Sequence, residues 1–385
     1  MTSRAAGRPS DTSPVDGPAR RSIAFLVWRD TQHPEGGGSE LFVERVAEHL
    51  AATGWNVTMC VAAHPNAPRD EVRRGVRMRR RGGRLTVYLH GLIYLIGPRG
   101  RRTDVIVDVQ NGIPFFSPLV RRRSIINLVH HVHHEQWQII YPGPAGKIGW
   151  WLESRLAPRL YRRHPYVTVS DATRRELISL GIAADRITVV HNGVDAPAPE
   201  RREPRADEPT ICTLSRLVPH KQVEHALEAA AVVRRALPRL RVEIVGDGWW
   251  HESLTARATE LGLDDAVTFH GAVSDARRDA LLDRAWVLLA PSVKEGWGIA
   301  IMEAAAHGVP AIAYSSAGGV RESIVDGETG WLVADSAELE KRTEELLTDP
   351  TLRERMGANA RARAAGFDWA STGRRFADLL DDLAD

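Results

Sequence analysis

The segment Glu295-Gly-Trp-Gly-Ile-Ala-Ile-Met-Glu303-Ala-Ala-Ala-His-Gly-Val-Pro310 holds two carboxylates and a glycine-rich turn at the opening of a helical run. An apolar run ends at Ala290 just before it, so the chain passes from a strand through a loop into a helix. The first turn of that helix is Gly296, Trp297, Gly298 and Ile299. Backbone N–H groups bared there, reinforced by the helix dipole, form an anion site suited to a diphosphate. Glu295 lies just outside the helix, where its carboxylate can accept from sugar hydroxyls. Glu303 lies inside it and is placed to accept from a ribose diol. Two glutamates on a helix are ordinarily solvated charges; it is the whole arrangement that asks for an explanation.

Cations of suitable type stand earlier in the chain. Ser215-Arg216-Leu217 follows a strand and leads to Lys221. Arginine forks onto two phosphate oxygens, and lysine acts as a point charge. Taken singly either residue reads as surface charge, but their spacing after a strand favours phosphate. Pre-positioned cations stabilise the negative charge that grows on a departing diphosphate. No convincing Asp-x-Asp loop is present, and two cations make a divalent metal dispensable, so neither metal nor cofactor is expected. Gly36, Gly37 and Gly38 follow the first strand and would let the backbone approach a ligand closely, although three glycines alone are more often a flexible turn. Glu40 beside them reads as a helix first-turn charge. His130-His131-Val-His133-His134 ends another strand; a metal site is one reading of such a tract.

These residues need a scaffold. A chain of 385 residues suits two domains. Near-continuous Val/Ile runs at Ser22–Trp28, Trp55–Ala62, Asp104–Val109, Ser124–Val129, Tyr166–Ser170 and Ile187–His191 alternate with helical stretches such as Ser39–Thr53 and Ala172–Leu180. That order predicts a parallel sheet covered on both faces. Residues 197–209 carry four prolines among charges and read as a linker between an N-terminal domain, 22–196, and a C-terminal one, 210–365. Strands then recur at Thr210–Leu214, Arg241–Val245, Val267–His270, Trp286–Ala290 and Ala311–Tyr314. Residues 366–385 form a last helix able to pack back across the domains, and 1–21 read as a disordered leader. Two doubly wound domains in series leave a cleft between the carboxyl ends of their sheets, where ligands bind.

Composition narrows the setting. Cys60 and Cys212 stand far apart and outside any CxxC pair, which fits a reducing compartment. No apolar run reaches the ~20 residues of a membrane span; Leu85–Ile96 comes nearest. A cytoplasmic protein is expected, at most peripheral to the inner membrane face. Residues 1–200 hold 28 Lys+Arg against 18 Asp+Glu, a balance of +10, and the remainder 23 against 31, a balance of −8. The arginines between Arg73 and Arg81, at Arg99, Arg101 and Arg102, and at Arg121–Arg123 attract phosphates or an anionic membrane surface, or simply face water. Nucleic acid is not expected, because no aromatic residues interleave with them.

In this frame the chain resembles family 4 of the retaining glycosyltransferases, over about residues 22 to 380. The Glu295-x7-Glu303 spacing, Arg216 with Lys221, Gly246-Asp247-Gly248 and His191-Asn-Gly-Val-Asp195 occur in the family's order. The resemblance implies the GT-B fold, two Rossmann-like domains facing across a cleft. It implies a UDP- or GDP-sugar donor gripped by Gly37, Gly38, Arg216, Lys221, Gly246, Gly296, Trp297, Gly298, Ile299 and Glu303. His130, or failing it His131, would contact the donor sugar near the reacting carbon. Arg216, Lys221 and Glu295 would join His130 in catalysis, and a hydroxyl acceptor (glycan, lipid-linked or small molecule) would receive an α-linked sugar. Asp108, Asn111, His131 and His133 are candidates for the acceptor side; at Asp108, Gln110 and Asn111 a satisfied polar turn is the rival reading. A nucleotide-sugar epimerase of the same shape, or a non-catalytic binding protein on this fold, are the alternatives.

Overall fold

The computed structural model describes residues 21–382 apart from 123, 199 and 201, so the leader expected at the start lies outside the described residues save for Arg21. The first half forms an eight-stranded sheet. Its strands are β1 (Ser22–Leu26), β2 (Asn56–Val61), β3 (Asp70–Arg73), β4 (Val76–Arg80), β5 (Val105–Gln110), β6 (Ile125–Val129), β7 (Tyr166–Thr168) and β8 (Ile187–Val189). They are ordered β3-β4-β2-β1-β5-β6-β7-β8. The second half forms a six-stranded sheet from β9 (Thr210–Leu214), β10 (Arg241–Val245), β11 (Val267–Gly271), β12 (Val287–Ala290), β13 (Ala311–Tyr314) and β14 (Gly330–Val333), ordered β11-β10-β9-β12-β13-β14. Every pairing is parallel except β3 with β4. Central strands such as β6, Ile-Ile-Asn-Leu-Val, are buried on both faces, as helices on either side of a parallel sheet require.

The antiparallel β3–β4 hairpin was not anticipated. In β4 the residues Val76, Met78 and Arg80 point inward, and the arginines between them mask that alternation. Arg80 is wholly buried, its Nε 2.6 Å from Asp30 and its guanidinium 2.8 Å from Glu71. Arg73, Arg74 and Arg81 pair with Glu44, Glu48 and Asp70, so much of the first arginine run is matched by carboxylates. Residues of the expected linker are tied to the second sheet's side: Arg202 meets Asp283 at 2.7 Å, and the Ala206 N–H donates to the Arg284 carbonyl. Among the described residues, no helix is long and apolar enough to cross a membrane.

The chain ends on the domain where it began. Helix Trp369–Asp382 buries Thr372, Gly373, Phe376 and Leu380 against helix Gly38–Ala52 and the first sheet. Phe376 lies 6.2 Å from the Phe25 ring, and Gly373 is so close to His49 that a Cβ would sit 2.3 Å from its ring. A second strap crosses from the other side. The Glu322 carboxylate accepts from the Asp171 and Ala172 N–H groups at 3.0 and 2.9 Å, capping helix Asp171–Ser179 of the first domain. Lys294 pairs with Glu176 of that same helix. An acidic group at a helix N-terminus is favourable, so this contact stabilises closure.

Phe376 binds the terminal helix to the first domain's core. Phe376→Ala is expected to cost about 3–5 kcal/mol, read as a lower denaturant midpoint. An unchanged midpoint would show that the helix is not part of that core.

Candidate active site

The carboxyl ends of β1 and β9 face each other across the cleft, and the loops after them meet. A Cβ on Gly37 would lie 3.6 Å from Arg216 Nε, and one on Gly38 only 2.7 Å from Ile299 Cδ1. Gly296 presses on the histidine tract, since a Cβ there would lie 2.5 Å from the His130 carbonyl oxygen. The structure therefore brings Gly37, Gly38, Arg216, Gly296, Ile299 and His130 together from both halves of the chain. Gly246 ends β10 against the Ser215 carbonyl.

On the second domain, helix Ile299–Ala306 starts from Gly298, whose φ of +94° is the left-handed conformation that glycine adopts at no steric cost. This turn, the end of β9 and Lys221 line one crevice with Glu295 and Ser292. Lys221 Nζ lies 2.6 Å from Glu295 Oε1, to which Ser292 Oγ donates at 2.7 Å. Thr213 Oγ1 and Ser215 Oγ in the same wall are buried without a hydrogen-bond partner. Buried hydroxyls are costly to leave unpaired, which marks this wall as built for a polar ligand. Glu303 meets Arg278 at 3.1 Å, and Asp275 and Asp279 hold Arg278 from the other side. Burial pushes the Glu303 carboxyl up to about 7, with Arg278 opposing that rise.

A further cation stands here that the sequence reading overlooked. Arg29, just after β1, is buried and pairs with Glu40 at 3.2 Å and Glu35 at 3.2 Å. The Glu40 carboxylate also accepts from the Gly37 N–H at 2.8 Å and so fixes the glycine loop. Burial raises the Glu40 carboxyl, but Arg29 and Arg216 outweigh it and hold the group below its ordinary value. Position at the end of the first strand was the available signal for Arg29. Histidines report the positive field. Burial, with Lys221 and Arg216, pushes His220 down to about 2. Burial, with Arg216, Lys294 and Arg29, takes His133 to about 3.

The histidine tract divides by role. His130 stacks edge-on against Phe42 at 5.3 Å, its Nε2 is buried without a partner, and burial takes it down to about 4. His131 meets Gln136 at 2.9 Å, and His133 is held between Asn111 at 2.9 Å and Glu153 at 3.0 Å. Among the described residues, no group of three His, Cys, Asp or Glu is arranged to hold a metal ion.

One expectation needs correction. Asp108 does not line an acceptor surface: it is wholly buried and accepts from Phe115 N, Ser117 N, Ser117 Oγ and the Tyr161 hydroxyl, so it pins the turn after β5. For Trp297 the side chain packs 5.2 Å from the Phe367 ring, in a cluster shared by both halves, so the backbone is the part of it that the helix start presents, as the glycine-rich turn implies.

Two parallel-sheet α/β domains facing across an anion-binding cleft define the GT-B architecture. The sequence pattern of the glycosyl transferases group 1 matches residues 197–363, and that of glycosyltransferase family 4 matches residues 36–197. The D-inositol 3-phosphate glycosyltransferase of Kineococcus radiotolerans is 30% identical over 397 residues, 88% of each chain. Glycogen synthase of Mycobacterium tuberculosis is 31% identical over 245 residues, 60% of this chain; the match spans 59% of that relative's length. HepE of Anabaena, solved in complex with UDP-glucose, superposes over 94% of this chain and 99% of its own with a TM-score of 0.74 at 20% identity. The chain belongs to glycosyltransferase family 4.

Two outcomes follow from this geometry. Gly296→Ala would push the His130 carbonyl away and part the domains, so small-angle scattering should show a larger radius of gyration with the melting temperature little changed. Equal radii would show that this contact does not set closure. For Glu303, the folded carboxyl holds its proton up to about 7, above its ordinary 4.5. The folded state thus binds more protons than the unfolded one across that window, and stability falls as pH rises through it. Glu303→Gln should lose less melting temperature than the parent between pH 5 and pH 8; parallel curves would refute the raised pKa.

Proposed function

We propose that the chain is a glycosyltransferase moving a sugar from a UDP- or GDP-sugar to a hydroxyl of a glycan, a lipid-linked precursor or a small molecule. The observation that carries this reading is the convergence of Lys221, the Gly298 start of helix Ile299–Ala306 and the unpartnered hydroxyls of Thr213 and Ser215 in one crevice, with Arg216 beside Ser215 and against Gly37. Cations, amide dipoles and hydroxyl donors together suit a diphosphate. The UDP-glucose bound by HepE and the inositol phosphate acceptor in the name of the Kineococcus relative support the same assignment.

On this reading Arg216 and Lys221 hold the diphosphate and take up the charge that grows as the sugar–phosphate bond breaks, without a metal ion. Glu303 accepts from the ribose hydroxyls, and Glu295 and His130 meet the donor sugar. The acceptor oxygen bonds to the anomeric carbon from the face the phosphate leaves, and the leaving phosphate oxygen takes the acceptor's proton. Attack from that face retains configuration and gives an α-linkage. Asn111, His131 and His133 stand toward the acceptor. The working place is the cytoplasm, at an anionic membrane face where the acceptor is lipid-linked.

A panel of UDP- and GDP-sugars should contain one that raises the melting temperature, since a ligand at a hundred times its Kd adds about 2.7 kcal/mol. With that donor, Lys221→Ala should lower nucleotide release by about a hundredfold or more while the fold survives. Full activity in the variant would reject the site.

A further inference from the structure

Helix Thr86–Ile96 contains no Asp, Glu, Lys or Arg. Val87, Gly91 and Leu95 face the core, Gly91 so tightly that a Cβ would lie 2.5 Å from the Phe115 ring. The opposite face carries exposed Thr86 and His90 but is mostly apolar. Leu85, just before the helix, is 79% exposed, Leu89 58%, and Ile93 and Ile96 49% each. Their spacing of four, four and three residues makes one stripe on the side away from the core. A helix with no charged residue and so few polar ones suits a core or a membrane, yet this one turns half of itself outward.

The surface continues at both ends. The Tyr141 ring lies 5.6 Å from the Arg84 guanidinium, beside Leu85. Helix Pro144–Trp151 begins just beyond and exposes Ile148 (60%) and Trp151 (54%). At the other end Arg99, Arg101 and Arg102 are exposed. Arg121 donates to the Gly100 carbonyl at 2.8 Å, which brings the exposed Leu119 to the same edge. An apolar strip with guanidinium groups at each end results.

We infer that this face seats in the interfacial layer of an anionic lipid bilayer, with helix Thr86–Ile96 lying in the membrane plane. Eleven residues rise only about 16 Å, too little to span a bilayer; an apolar stripe with flanking arginines is what in-plane insertion uses. Charge selects the occupant. A second copy of the chain would bring its own arginine rim against this one, whereas anionic headgroups complement it. The inference deepens the membrane part of the proposed function and gives the lipid-linked acceptor a route. Trp150, beside Trp151, lies tilted against His134 with ring centres 4.5 Å apart, and Glu153 holds His133, so the adjoining helix Pro144–Trp151 leads from this face to the histidine tract.

The full-length protein is sedimented with phosphatidylcholine vesicles and with vesicles containing phosphatidylglycerol, at low and high salt. It should pellet with the anionic vesicles, less so at high salt, and little with the neutral ones. Leu89→Glu with Ile93→Glu should lower partitioning at least tenfold at either salt, and the milder Leu89→Ser with Ile93→Ser should follow in the same direction. Replacing Arg99, Arg101 and Arg102 by Ser should cost roughly fivefold per charge, at low salt only. The melting shift given by the UDP- or GDP-sugar panel is read on the same samples. Its absence from the parent protein would count against the proposed transferase, leaving the pelleting result to stand by itself. The inference is overturned if the parent stays in the supernatant, if the glutamate pair pellets like the parent, or if light scattering shows a parent dimer that the glutamate pair dissolves.

Discussion

Like charges forced together govern this cleft. Arg29, Arg216 and Lys221 converge where two sheets end, in surroundings where water screens them poorly. Mutual repulsion at that dielectric is severe unless anions are interleaved. Glu40 sits against Arg29 and within the field of Arg216, and Glu295 binds Lys221. Each carboxylate has a second duty, Glu40 fixing the Gly37 N–H and Glu295 bordering the helix start. Charge balance and loop position are therefore one problem with one solution. A diphosphate fits it because its oxygens can share the same cations without asking them to move.

That balance needs both domains. Arg216 approaches Gly37 of the first domain, while Gly296 of the second lies against the His130 carbonyl. Neither contact tolerates much separation, and both are short on apolar area. Closure therefore draws on the Glu322 cap over helix Asp171–Ser179, on Lys294 with Glu176, and on the terminal helix that returns to the first core. They work alongside a shared apolar cluster in which Trp297, Met302 and Ala305 of the second half pack with the first core.

The strand–helix alternation is legible in the sequence because buried parallel strands such as β5 and β6 are nearly uninterrupted Val/Ile runs. The second-domain site is legible for a related reason: glycine at a helix start, and cations after a strand, keep their spacing in sequence. Other features depend on distant partners. β4 hides its inward alternation among arginines, and the inward one, Arg80, finds Asp30 fifty residues away. Asp108 reads as an exposed strand-end carboxylate until Ser117 and Tyr161 close over it. Trp297 sits in a ligand-facing turn, yet its ring is claimed by Phe367 near the chain's end. Local pattern carries backbone placement; side-chain direction is settled by tertiary contacts no window contains.

The two halves also differ in what they leave uncovered. In the second domain, β9 and β12 bury almost every residue, and their partly exposed ends, Leu214 and Ala290, line the crevice. The first domain covers its sheet equally well but adds an outer apolar layer on helices Thr86–Ile96 and Pro144–Trp151. Exposed area of that kind weakens solubility and contributes nothing to the fold. Arg99, Arg101 and Arg102 beside it face outward, whereas Arg73, Arg74, Arg80 and Arg81 around the β3–β4 hairpin pair with carboxylates. A division of labour accounts for both facts. On the proposed reading, one half would hold a charged nucleotide in the crevice lined by Lys221 and hydroxyls, and the other would meet an amphiphilic surface. The histidine tract at the end of β6 stands between the two.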